Sequence, residues 1–182
     1  MKKIKNLTWI SAAATIIMMA CSTTANAQKS AKLTDPEIAS AAVVANQGDI
    51  GFAKIAEEKS KNTEVLKFAK LMATDHQSVI DQAVALVTKL KVTPKDNALS
   101  KKLTADAAKT RKMLLSQSAK TFDKAYVDNE VAYHKAVISA IETVLVPQST
   151  NPELKSLLEN VIPTFKAHLA HAEMVQKMLA GK

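Results

Sequence analysis

Three of the chain's four histidines fall on apolar stripes of helical period. His76 sits in the series Leu66, Ala69, Ala73, His76, Ile80, Ala83, Val87, Leu90. His134 sits in Val127, Val131, His134, Ile138, Ile141, Leu145, and His168 in Leu154, Leu158, Val161, Phe165, His168, Ala172, Val175, Leu179. Steps of three and four keep each series on one face of a helix, so all three imidazoles face a core. Placing an imidazole there costs free energy unless both nitrogens find partners. Two arrangements meet that cost: a hydrogen-bonded polar layer with no metal, the commoner fate of core histidines, or a site that binds an ion.

Acids stand at matching heights. If the first two helices form a hairpin turning near Asn62, the residue level with His76 is Gly48 or Asp49, so Asp49 can face His76. If the last two turn near Ser149, His168 is level with about Glu130, which also lies one turn before His134. Asp75 adjoins His76 but points about 100° away, which makes it a partner for a neighbouring element or a surface acid. Together Asp49, His76, Glu130, His134 and His168 offer the mixed nitrogen and oxygen donors that suit iron, zinc or manganese inside a bundle. The usual di-iron pattern, Glu and His three apart on each of two helices, is absent: Glu130 and His134 are four apart, and no Glu precedes His76 or His168 by three. A softer set pairs Met72 with His76, and His171 with Met174 and Met178. Thioether with imidazole suits copper, whereas methionines on helices are more commonly packing residues. His171 reads as exposed.

For catalysis without a metal the chain is poor. It has no G-x-S-x-G elbow and no phosphate-cradling glycine loop. Tyr126 and Tyr133 read as buried rings with a hydroxyl partner. The expectation is a protein that is not an enzyme.

The elements that must position these residues are helices. Thr34-Asp35-Pro36-Glu37 is a helix start, with a cap, an early proline and first-turn acids, and that helix runs to about Lys61. The His76 stripe follows and ends near Val92-Thr93-Pro94. A lesser helix from about Leu99 to Ser118, with Ser100 as cap, occupies a long connection. The His134 stripe starts from about Lys120 and stops at Val146-Pro147, because a residue before proline resists helical geometry. Asn151-Pro152-Glu153 starts the last helix, in which Pro163 predicts a kink. Two hairpins joined by a crossover predict an all-α, ferritin-like four-helix bundle with an extra short helix in the crossover. Only 4% of residues are aromatic and three are Gly, which argues against sandwiches, barrels and disorder.

Residues Met1 to Asn6 are basic, Leu7 to Ala20 apolar, and Ala25-Asn26-Ala27 a small-x-small site, so 1–27 read as a secretory signal, 28–33 as a linker and 34–182 as one domain. Cys21, in Met18-Met19-Ala20-Cys21-Ser22, stands in a lipobox-like setting that offers a second cleavage site and a lipid anchor; both sites stay open. The expected address is the periplasm, free or anchored as a lipoprotein, with no transmembrane helix in the mature chain. The formal charge of +8 falls to about +5 once Lys2, Lys3 and Lys5 leave with the signal. The remaining lysines interleave with acids and form no long basic run, so no nucleic-acid binding is expected. The protein partner is left open.

Lys54-Ile55-Ala56, Met72-x-x-Asp75-His76, Phe122-Asp123-x-x-Tyr126, the following His134, and His168 after Pro163 together resemble the DUF4142 family. These are exported bacterial proteins of unknown function, placed among ferritin-like folds and often labelled predicted outer membrane proteins. The resemblance spans about Leu33 to Leu179. It implies a periplasmic or membrane-attached bundle and brings no established activity. Members often carry an acid where this chain has Gly51, which would weaken any family metal site that used it, with Asp49 placed to compensate. Three functions follow as expectations: an envelope protein that binds or answers stress without catalysis, a ferritin-like metal-binding protein, and a partner-binding module presenting the helix between Leu99 and Ser118.

Overall fold

The computed structural model describes residues 32–181. The expected signal, its two candidate cleavage sites and Cys21 lie outside the described residues, as do residues 28–31 of the expected linker.

Thr34 opens the first helix, α1 (Asp35–Lys59), with a capping box in which the Thr34 and Glu37 side chains satisfy each other's free backbone donors. Asn62 caps α2 (Thr63–Lys89) through Glu64 N. The crossover helix α3 (Ala98–Ser116) is capped by Asn97, whose Oδ1 accepts from Leu99 N and Ser100 N while Ser100 Oγ accepts from Asn97 N. Ser100, the expected cap, thus closes the box from inside the first turn. This helix lies where the extra crossover helix was expected and equals α4 (Phe122–Ala140) in length.

After α4 the chain does not stop at Val146-Pro147. It passes through a π-helical turn, Ile141–Leu145, and a last α-helical turn, α5 (Val146–Gln148). In an α-helix the Pro147 ring would meet the carbonyl of Thr143. The wider turn, in which Val146 N–H bonds Ile141 O five residues back, lets Val146 stay helical (φ −61, ψ −47) ahead of the proline. The final helix, α6 (Pro152–Ala180), is capped by Asn151 and continues through Pro163.

Contacts at the two ends give the directions. Asp35 meets Ser149, Thr150 and Asn151, and Lys89 pairs with Glu153, so the start of α1, the end of α2 and the turn before α6 share the lower end. Lys59 Nζ donates to the carbonyls of Leu115 and Gln117 and lies over the Phe122 ring, which joins the opposite ends at the top. α1 and α6 therefore run up, α2 and α4 run down, and α3 carries the chain back to the top. The four long helices form the bundle, with α3 laid along α1 and contributing only Ser100 and Leu114 as buried residues. The core has two parts: an upper cluster around Phe52, Phe68, Phe122 and Tyr126, and a lower one around Ile38, Ile138, Leu158 and Phe165. Among the described residues no helix is long and apolar enough to cross a membrane.

Asp35 staples the lower end by accepting from Thr150 N at 2.8 Å and Asn151 N at 3.0 Å. Burial works to raise its pKa, but the hydrogen bonds from Thr150, Asn151 and Ser149 outweigh this and hold it below its ordinary 3.8. A depressed carboxylate stabilises the fold above its unfolded pKa and loses that contribution as pH falls through the folded value. Asp35→Ala is expected to cost about 1 kcal/mol at pH 7, given the partial exposure of the staple. In urea unfolding the gap between wild type and variant should shrink between about pH 4 and pH 2; a gap that stays constant with pH would show that the carboxylate's charge contributes nothing.

Candidate metal centre

Between the two apolar clusters lies a polar layer built by four helices. α1 supplies Asn46 and Asp49, α2 supplies Asp75 and His76, α4 supplies Glu130 and His134, and α6 supplies His168. All but Asp75 are buried, and Asp49 and Glu130 are 0% exposed. The five residues that sequence spacing proposes, Asp49, His76, Glu130, His134 and His168, all meet here.

Each imidazole is held from outside by an oxygen. His76 Nδ1 donates to Asn46 Oδ1 at 2.7 Å, and Asn46 Nδ2 donates to Ala42 O at 2.8 Å, which fixes the orientation of the amide. His134 Nδ1 donates to the carbonyl oxygen of Glu130 at 2.9 Å, the preceding turn of its own helix. His168 Nε2 donates to Asp75 Oδ2 at 2.8 Å. A neutral imidazole that gives its one proton outward turns a lone pair inward. Burial keeps all three neutral: it lowers His76 well below the usual histidine value, helped by His134 and His168, brings His134 down to about 4, and lowers His168 in spite of Asp75.

The inward atoms converge. His76 Nε2 and His134 Nε2 are 3.4 Å apart, and Asp49 Oδ2 lies 3.6 Å from the first and 4.0 Å from the second. A ring nitrogen of His168 falls within 4.8 Å of one on each of the other two histidines, and its Nδ1 is buried without a partner. Both Asp49 oxygens and Glu130 Oε2 are likewise buried without a hydrogen bond to any other residue, and the two carboxyls lie close enough to share a proton when one of them is protonated. Asp49, Glu130 and His134 make a second group of donors within 4.8 Å of one another. Burial pushes Asp49 up to about 7, and burial with the Asp49 charge raises Glu130 well above the usual carboxylate range. Phe165 stacks on His76, with centroids 4.9 Å apart, and floors the layer.

A family model described as "Domain of unknown function (DUF4142)" matches residues 20–175. The chain belongs to that family. No curated protein and no solved structure matches it.

Of the residues that carry the DUF4142 resemblance, Asp75, His76, His134 and His168 build the layer itself, and Tyr126 borders it. Burial raises the pKa of Tyr126, and the nearby Glu130 and Asp49 raise it further. Its hydroxyl has no hydrogen-bond partner, contrary to the expectation from sequence, whereas Tyr133 Oη donates to Ala45 O at 2.7 Å. Gly51 faces elsewhere: a Cβ there would lie 2.3 Å from Arg111 Nη2 on α3. An acid at this place would meet that guanidinium, so its absence takes nothing from the histidine layer. His171, expected exposed, is half-buried edge-on to Phe68 at 5.1 Å. Met72 packs in the upper core while Met174 and Met178 are exposed, so the thioether pairs are not gathered at one place. Sequence reading missed Asn46 and left the role of Asp75 open. The signal for Asn46 was its place three residues before Asp49, on the same inward face.

Two buried carboxyls this close cannot both ionise without cost. Glu130→Gln keeps the shape and removes one ionisable group. With metal chelated, the variant is expected to be more stable than wild type at neutral pH by about 1–3 kcal/mol. A raised carboxyl pKa destabilises the fold above the unfolded value near 4.5, so the advantage should grow between about pH 5 and pH 8. Urea unfolding at those two pH values checks it, and a less stable variant would show Glu130 to be fully partnered.

Proposed function

We propose that this chain binds one divalent transition-metal ion between Asp49, His76, His134 and His168, with Glu130 as a second carboxylate beside it. One observation supports the reading above all: three buried imidazoles donate outward to oxygens and keep unprotonated nitrogens inside, and those of His76 and His134 lie 3.6 and 4.0 Å from the buried Asp49 carboxyl. As a metal-free hydrogen-bonded layer this is poor. Two facing lone pairs repel, and 3.6 and 4.0 Å are too long for hydrogen bonds to Asp49. As a coordination shell the same spacings fit, because the point equidistant from His76 Nε2, His134 Nε2 and Asp49 Oδ2 lies about 2.1 Å from each, the usual metal–nitrogen and metal–oxygen length.

Imidazole and carboxylate donors suit zinc, iron(II) or manganese(II). Asn46, Asp75 and the Glu130 carbonyl are the partners that orient the ligands. His76, His134 and Asp49 fit one ion, and His168, grouped with the other two imidazoles, is the fourth donor in this reading; a sphere closed by four protein donors is the pattern of a site that keeps its ion. We therefore read the protein as a binder of metal and not as an enzyme. The basic, apolar and small-residue run over 1–27 supports export, and on this reading the binding occurs in the periplasm, free or on a lipid anchor at Cys21.

Elemental analysis of protein purified without a histidine tag is expected to find about one equivalent of zinc, iron or manganese. His134→Ala should abolish it, and Asn46→Ala should weaken affinity in the 10- to 100-fold range of lost ligand-orienting partners. Absence of metal after dialysis against each of the three ions would leave the layer as a hydrogen-bonded core and end this reading. Intact mass of the exported protein should give a chain starting at Gln28 or an acylated Cys21; an uncleaved chain that starts at Met1 and stays in the cytoplasm would remove the periplasmic part.

A further inference from the structure

Under the histidine layer, in the lower half of the bundle, lies a cavity of about 70 Å³ walled by α1, α2, α3, α6 and the π-helical end of α4. Protein interiors hold few voids larger than a water molecule, which on this measure needs roughly 10–15 Å³. Its origin is legible in side-chain size. In the α1–α2 hairpin Ala39 and Ala42 stand level with Ala83, so three methyl groups meet where a bundle interior otherwise places longer aliphatic chains. The ring of Phe165 and the aliphatic chains of Val161 and Leu158 form the far wall.

The chemistry of the wall decides what can enter. Asn46 is the one polar side chain in it, and both ends of its amide are already used, on His76 and on the carbonyl of Ala42. A buried water requires two to four polar partners, and this wall, partly open toward the surface, offers none that is free. An apolar cavity of several water volumes is a site for a molecule that offers dispersion and asks for no hydrogen bond.

Its position relates it to the layer above. Phe165 forms part of the cavity wall and also stacks on the His76 ring at 4.9 Å, with His134 edge-on at 6.1 Å. We infer that the cavity is a binding site for one small apolar molecule without hydrogen-bonding groups, dioxygen-sized to a few heavy atoms, held one aromatic ring away from the histidine layer. The binding stands apart from the metal reading; only the closeness of ligand and ion rests on it.

Xenon is the probe, a polarisable sphere with no polar group. In solutions of the whole protein under xenon pressure, saturable 129Xe shifts are expected, with matching perturbation of the methyl resonances of Val79, Ala83 and Val161. Ala83→Leu, which fills the space, should weaken xenon binding at least tenfold and leave metal content unchanged. Should that variant fold poorly, Ala42→Val fills the same level with a smaller increment and should give the same loss. No saturable xenon effect in wild type, or equal xenon binding by the filled variants, overturns the site. Loading with Co2+ in place of Zn2+ separates the two readings: bound xenon should relax faster beside the paramagnetic ion. Binding without that acceleration would keep the cavity and remove the ion from the layer.

Discussion

The structure turns on the fact that an imidazole has one proton to give when neutral and two nitrogens to satisfy. In a bundle interior the proton goes to whatever acceptor the packing supplies, here Asn46 Oδ1, the Glu130 carbonyl and Asp75 Oδ2. Once those three bonds are made, the unprotonated nitrogens are left inside the layer, those of His76 and His134 facing each other and Asp49. The convergence is thus a consequence of the outer hydrogen bonds. Burial reinforces it by holding the rings neutral, since desolvation penalises the charged form and a second protonated ring would add repulsion at 3.4 Å.

The remaining architecture makes that layer tolerable. An apolar cluster lies on each side of it, so water is kept out and the four helices are joined above and below by ordinary packing. The crossover helix adds little to the core but returns the chain to the top, which makes α2 parallel to α4 and lets all four bundle helices contribute to one level. Its ends are tied by specific contacts: Asn97 Nδ2 donates to Glu37 O at one, and Lys59 meets the last carbonyls at the other. At the lower end the π-turn does similar work, extending helical geometry past a proline so that Leu145 stays in the lower core.

Much of this was legible in the sequence because helical period is a strong signal. The stripes through His76, His134 and His168 placed the rings, and counting back from the turns at Asn62 and Ser149 put Asp49 and Glu130 at their level. What stayed hidden depended on finer geometry. Asn46 reads as one more polar residue of α1 until its amide is seen to lie between His76 and a carbonyl. Asp75 points away from the His76 face, and only the packing of α2 against α6 shows that this turns it onto His168. The π-turn escaped because proline rules describe α-helices, and one hydrogen bond shifted by a residue releases the clash they assume.

An unfilled set of inward lone pairs and buried carboxyls is a cost to the metal-free fold, and the hydrophobic clusters must cover it. A cation at the centre would reverse the sign, because it would supply the positive charge that the carboxyls lack and the electron-pair acceptor that the donor-free nitrogens need. By linkage, a ligand that binds only the folded state stabilises it by about 2.7 kcal/mol at a hundred times its dissociation constant. On the proposed metal binding, such a layer would tie folding to metal supply while the bundle itself would stay helical without it, provided the upper cluster of Phe52, Phe68, Phe122 and Tyr126 carries the fold alone. The lower half, which contains the cavity, is the part with less packing to spare. It is accordingly the half whose order should respond most to what occupies the layer.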